Sequence, residues 1–136
     1  MKIDGGCHCG WLKFEAIVDR DNVNICHCTD CQKLSASAFR AVIASMETDF
    51  KLLNNTPKDY IKTSDNGTPR IQAFCPECGS HIYATSTYNI GNRIFNIRLG
   101  SVYQKDKFQP KKQIWCRSAL PWVFVLDNIP RIDKQS

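Results

Sequence analysis

The sequence predicts a mostly β chain with one short helix. Two observations carry this. Short runs rich in Val, Ile, Phe and Tyr recur along the 136 residues, as strands require. Polar turn clusters separate them, at Asp19-Arg20-Asp21-Asn22, Asn54-Asn55-Thr56-Pro57 and the hairpin signal Ser64-Asp65-Asn66-Gly67. The hydrophobic fraction of 43%, with 3 Trp, 4 Tyr and 7 Phe, is enough to build a core.

In chain order, 11–18 alternates as a strand, 19–22 turns, and 23–25 is a short strand leading into Cys26. Residues 29–34 form the short helix, with Thr29 or Asp30 placed to cap it. Strands follow at 39–46, 50–53, 59–63, 68–74, 81–85, 93–99, 113–116 and 122–126. No repeat, low-complexity stretch or linker interrupts them, so a single domain over 1–136 is expected.

Composition narrows the function. No apolar run reaches the roughly 18 residues of a membrane span, and MKIDGGCHCG lacks the apolar segment of a secretory signal. A cytoplasmic location, where thiols stay reduced, is the expectation. The net charge of +5 is uneven: residues 91–136 carry nine basic and three acidic side chains, whereas 1–90 carry nine and ten. Only Lys111 and Lys112 adjoin there, so the surplus reads as solvated surface, and neither nucleic acid nor membrane is expected as a partner.

The eight cysteines are clustered. Seven lie in Cys7-His8-Cys9-Gly10, Cys26-His27-Cys28-Thr29-Asp30-Cys31 and Cys75-Pro76-Glu77-Cys78-Gly79, and Cys116 is left over. A disulfide framework is disfavoured by the expected compartment, and a Cys7–Cys9 bridge would close a loop too small to remove much chain entropy. A redox CxxC opens a helix after a strand, whereas Cys75-Pro76-Glu77-Cys78 runs into strand-like sequence. Metal binding remains. Residues i and i+2 of a strand share a face, so Cys7 and Cys9 are expected to offer two sulfurs to one ion. The Cys75–Cys78 unit reads as a knuckle. Together the four make the closed set of a structural zinc, and chelation is expected to unfold the chain. Cys26, Cys28 and Cys31 then offer three ligands, the pattern of a catalytic zinc with an open position. Cys116 or His27 could close that site. Spacing alone leaves open a swapped partition of the clusters, and iron in place of zinc.

The order of these motifs resembles the glutathione-dependent formaldehyde-activating enzyme family, which includes the centromere protein V branch. The matching stretches are Gly6–Gly10, Cys26–Lys33 and Phe74–Ser80, with Gln113-Ile114-Trp115 and Ala119-Leu120-Pro121-Trp122 further on. The resemblance implies an Mss4-like fold of several short coiled antiparallel sheets. It implies a structural zinc on Cys7, Cys9, Cys75 and Cys78 and a second zinc on Cys26, Cys28 and Cys31. It also implies condensation of glutathione with formaldehyde, a carbon–sulfur lyase activity. The chain departs from the family pattern at Ala36, where glycine is usual, at Gln113, where histidine is usual, and in having Cys116.

Three thiolates around a divalent ion leave a formal charge of about −1, suited to holding an incoming thiolate. The expected partner is therefore a small anionic thiol such as glutathione. Ser35 and Ser37 are candidate pocket residues. Arg93, Arg98, Arg117, Lys111 and Lys112 are candidates for the carboxylates of the thiol. His8 and His27 lie between ligands and are expected to face away from the metal. His81 is read as structural, and Trp115 and Trp122 as core residues, with pocket lining as the alternative for the two tryptophans. The rival function is a non-enzymatic zinc module that binds protein or nucleic acid.

Overall fold

The computed structural model describes residues 1–135. Ten strands and one α-helix follow in chain order: β1 (Lys2–Gly6), β2 (Lys13–Ile17), β3 (Val23–Cys26), α1 (Thr29–Ser35), β4 (Arg40–Met46), β5 (Phe50–Leu52), β6 (Lys58–Thr63), β7 (Pro69–Phe74), β8 (His81–Ser86), β9 (Ile94–Arg98) and β10 (Lys112–Ile114). The fold is mostly β, as the sequence predicts. The strands form two sheets, β1-β2-β5 and β10-β3-β4-β9-β8-β7-β6.

Among the described residues the β10–β3 pairing is parallel and the others are antiparallel. Parallel pairing needs a long connection, and the chain from Leu99 to Lys111, with two 3-10 turns, supplies it. No helix among the described residues is long and apolar enough to cross a membrane.

Alternation of buried and exposed residues along β1 and β2 puts Ile3, Phe14 and Ala16 inward. They join Leu12, Val23, Ile43, Ile82, Ile97 and Val102 in one core that also contains Cys7 and Cys75. Phe50 of β5 ties the sheets together. Its ring lies 5.3 Å from Phe14, 5.2 Å from Tyr83 and 5.0 Å from Phe95, distances at which aromatic pairs attract. The two cysteine motifs at 7–9 and 75–78 thus leave the core at the ends of β1 and β7.

Two segments differ from the sequence reading. The sequence reading has no strand before residue 11, whereas β1 runs over Lys2–Gly6. In the fold Gly5 pairs with Val102, and a methyl group on it would overlap the Ser101 carbonyl and the Phe14 ring. The strand expected at 122–126 is instead a pair of 3-10 turns, Pro121–Phe124 and Leu126–Asn128. Pro121 sets the first turn, and Val125, at φ −132° and ψ 35°, breaks the extended path. Trp122 and Phe124 are exposed there, so the expectation of Trp122 as a core residue is corrected.

Arg93 is also reassigned. Its Nε donates to Glu47 Oε2 at 3.0 Å and its Nη2 to Oε1 at 2.6 Å. Glu47 Oε2 also accepts the backbone N–H groups of Gly91 and Arg93. Arg93 is therefore a clamp between the turn that follows β4 and the residues that lead into β9, and not a free anion anchor. The Arg93 hydrogen bonds hold the Glu47 carboxyl down to about 2 from its ordinary 4.5. A carboxyl depressed on folding stabilises the native state above its unfolded pKa and loses that contribution as pH falls toward the folded value. The stability difference between wild type and Glu47→Gln is expected to be full above pH 4.5 and to narrow as pH falls toward 2. Urea melts at pH 7, 4.5 and 3.5 measure it, and a difference independent of pH refutes it.

Candidate metal centres

The first cluster is built from two turns. Gly10 N–H bonds the Cys7 carbonyl at 3.2 Å, and Cys7 N–H bonds the Leu12 carbonyl at 3.1 Å. In the second turn Gly79 N–H bonds the Cys75 carbonyl at 2.8 Å, and Cys75 N–H bonds the Ser80 carbonyl at 2.9 Å. Gly79 has φ +78°, a conformation that favours glycine and reverses the chain after Cys78. Cys7 and Cys9 follow β1 in this turn and are not in a strand. The turn, and not strand alternation, converges their sulfurs.

The Cys7 and Cys9 sulfurs are 3.6 Å apart, and those of Cys9 and Cys75 are 3.9 Å apart. All four, with Cys78, lie within 4.8 Å of one another. A disulfide needs about 2.05 Å, and the cysteines are free. Tetrahedral thiolates at about 2.3 Å from one ion stand about 3.8 Å apart, so the spacing fits a metal. Backbone donors also point at the sulfurs: Leu12 N–H to Cys7 at 3.1 Å and Glu77 N–H to Cys75 at 3.4 Å. The Ser80 hydroxyl, then its N–H, hold the Cys78 thiol down to about 5. Such donors favour thiolates, the form that binds metal.

The second cluster forms where β3 meets α1. Cys26 ends β3, and Cys28, not Thr29 or Asp30, is the N-cap of α1. Its sulfur accepts the Cys31 N–H at 3.2 Å. The three sulfurs lie within 4.8 Å of one another, and no fourth Cys, His, Asp or Glu among the described residues joins them. His27 does not close the site. It is buried between Phe39 and Phe124, and its Nε2 bonds Gln113 Oε1 at 2.7 Å. Cys116 is exposed and outside the cluster.

Arg40 was missed in the sequence. It opens β4 directly opposite Cys26, and its Nη2 donates to Cys31 Sγ at 3.4 Å. The hydrogen bond from Cys26, and then this guanidinium, hold the Cys31 thiol down to about 5, while Cys26 is pushed up by the same contact and by burial. The signal available in the sequence was one arginine heading an otherwise apolar strand.

A groove of about 360 Å³ opens onto Cys28, lined also by Asp30, Lys62, Asp65, Trp115 and Ser118. Trp115 is half-exposed, with φ +57°, so it lines this groove instead of packing in the core. Its left-handed backbone also ends β10 at Ile114, short of the expected Cys116. Gln32 fastens the groove wall by donating to the carbonyls of His27 at 2.8 Å and Ser118 at 2.9 Å. Of the remaining candidates, Ser35 and Arg98 line a separate cavity with Arg40, while Ser37 and Arg117 are exposed. Lys111 is exposed and 3.6 Å from Asp21, and Lys112 is exposed on β10. His8 is exposed, and His81 is half-buried and stacked on Phe74.

Ala36 closes α1 in the left-handed conformation, φ 51° and ψ 39°, with its N–H on the last carbonyls of the helix. A non-glycine residue there is strained by about 1–2 kcal/mol. Ala36→Gly is expected to raise stability by roughly 0.5–1 kcal/mol, the relief being offset in part by chain entropy. Thermal melting checks the sign, and a lowered Tm counts against it.

The sequence pattern of the family described as "Glutathione-dependent formaldehyde-activating enzyme" matches residues 2–118. The chain belongs to that family. It is 27% identical over 84 residues to a protein of Schizosaccharomyces pombe described as an uncharacterized lyase, covering 62% of this chain and 58% of that protein. The match thus spans little more than half the length of that relative. In fold it resembles the crystal structure of a Rhodobacter sphaeroides protein, with a TM-score of 0.59 and 15% identity over 81% of this chain and 98% of that one.

Proposed function

We propose that this family member is a zinc-dependent carbon–sulfur lyase that joins a small anionic thiol, glutathione or a close analogue, to formaldehyde or a related aldehyde. In this reading one zinc is structural, on Cys7, Cys9, Cys75 and Cys78. The second is held by Cys26, Cys28 and Cys31, as part of one zinc-binding domain spanning 1–136. The cytoplasm is the proposed location, a compartment that keeps eight free cysteines reduced. One observation carries the proposal: four thiols complete the first set, whereas three make up the second, beside a groove large enough for a small molecule.

Cys26, Cys28 and Cys31 would hold the ion, which when bound would supply an open position favouring the thiolate form of a fourth thiol. The chain's own residues do the rest. Arg40 donates to Cys31 and so offsets part of the negative charge of the cluster. Gln32 holds the 27–31 turn and the 115–118 segment at a fixed separation. Trp115 and Ser118 wall the groove and hold the two reactants together. In the forward direction the thiol sulfur forms a bond to the aldehyde carbon, and the carbonyl oxygen takes up a proton. The reverse direction breaks that C–S bond and returns the thiol and the aldehyde.

The test is NMR exchange spectroscopy of glutathione and formaldehyde with protein carrying two zinc ions per chain. Interconversion of free thiol and hydroxymethyl adduct faster than the spontaneous rate is expected. One zinc per chain, or an exchange rate equal to that without protein, refutes the proposal.

A further inference from the structure

Two guanidinium groups stand beside the three-cysteine cluster with no carboxylate to pair them, the Cys31 sulfur being the one acidic group that either touches. Arg40, the first residue of β4, and Arg98, the last of β9, are only 7% and 8% exposed. Charged groups so deeply buried are ordinarily paired. Neither has a carboxylate within 4 Å among the described residues. Arg40 gives Nη2 to Cys31, and its Nε and Nη1 have no partner. Arg98 gives Nη2 to Gln72 Oε1 at 2.7 Å, and its Nε has no partner.

The two arginines line one cavity of about 450 Å³, together with Ser35, His81 and Gly79. Arg98 and His81 also border an adjoining cavity that reaches Cys7 and His8. No Asp or Glu lines either space. The groove over Cys28 is the opposite in character. It carries Asp30 and Asp65, and its one lysine, Lys62, is 2.6 Å from Asp30.

We propose that Arg40 and Arg98 form a carboxylate subsite beside the Cys26–Cys28–Cys31 cluster, filled by the acid group of the thiol substrate. The inference rests on the thiol reading above and adds the residues that select for acidity. A guanidinium presents paired N–H groups that match the two oxygens of a carboxylate. Arg40 touches Cys31 and also lines the cavity, so in this proposal the carboxylate lies on the Arg40 side of the cluster and the thiol reaches the sulfurs past that residue. Gln72 acts as a positioning residue, since its carbonyl oxygen fixes the plane of the Arg98 guanidinium. Burial, and then the neighbouring charge of Arg40, hold Arg98 down to about 9. It is still cationic at neutral pH, and an arriving anion relieves both costs.

The test is calorimetric titration of zinc-loaded protein with 3-mercaptopropionate, with its uncharged analogue 3-mercapto-1-propanol, and with propionate. Wild type is expected to bind the thiol acid about ten-fold or more tighter than the thiol alcohol, as a charge-assisted pair implies. Arg98→Gln is expected to bring that ratio to about two-fold or less by weakening the acid alone. Equal affinity of wild type for the two thiols overturns the subsite and leaves the lyase proposal standing, with no variant needed. Propionate binding as tightly as the thiol acid also overturns it, because the occupant would then be a free carboxylate. If neither thiol binds, the thiol reading fails by itself. The subsite is then judged by propionate and the Arg40 and Arg98 Nε–H signals in NMR. Saturable shifts support a carboxylate site, and unmoved signals overturn it.

Discussion

Cys75→Ser is expected to leave the chain unfolded at 25 °C, and exhaustive chelation to do the same to the wild type. Cys75 is fully buried in the core, among the residues packed with Ile3, Leu12 and Ile82. Its sulfur and those of Cys7, Cys9 and Cys78 join the end of β1 to the end of β7, across 66 positions of sequence between Cys9 and Cys75. The two turns bearing these cysteines are held to each other by one hydrogen bond other than sulfur contacts, from His8 N–H to the Ser80 hydroxyl at 3.0 Å. A tetrahedral zinc in such a set contributes on the order of 10–16 kcal/mol in small peptides. The net stability of a whole domain is about 5–15 kcal/mol. Removing the ion therefore removes a term as large as the total, and losing one buried ligand while the other three remain crowded removes a large share of it. Far-UV circular dichroism and thermal melting, read beside metal content, measure the loss. A cooperative melt near the wild-type Tm after complete metal removal would refute the structural assignment.

The two clusters were legible because a metal site is written in local spacing. Cys75-Pro76-Glu77-Cys78-Gly79 folds as the knuckle it resembles, and Cys26, Cys28 and Cys31 converge where the end of β3 meets the first turn of α1. The strands were legible for a similar reason: burial alternates at period two along β2 and over the first four residues of β8, and the ends of both fall within two residues of the sequence reading. What the sequence concealed depends on partners far along the chain. Gly5 and Gly6 look like breakers until Ser101 and Tyr103 are seen close above them. Arg40 gives only a faint local signal, one arginine at the head of a largely apolar strand. Its position follows from the register that sets it opposite Cys26, and its isolation from the absence of acidic side chains on β7 and β9 nearby. Trp115 and Trp122 read as core on hydrophobicity alone. The left-handed residue at 115 and the proline at 121 turn that segment along the surface.

Cys28→Ser separates the two clusters experimentally. The sulfur of Cys28 has two tasks: it is one of three candidate ligands, and it caps α1 by accepting the Cys31 N–H. Serine is among the best N-cap residues, so the substitution keeps the cap while removing a thiolate. α1 buries none of its residues, so loosening it costs the core little. The variant is expected to melt within about 1 kcal/mol of wild type, to retain one zinc, and to bind the second more than about 100-fold more weakly, because loss of outer-shell partners alone costs 10–100-fold. Glutathione–formaldehyde exchange should fall to the spontaneous rate. Cys28→Ala loses the same ligand together with the cap, and so should be about 1 kcal/mol less stable than Cys28→Ser while matching it in metal content and activity. That pairing distinguishes loss of a ligand from loss of the helix start. Unfolding of Cys28→Ser with release of both metals would instead mean that the three-cysteine cluster is structural, and the division of labour between the two sites would have to be withdrawn.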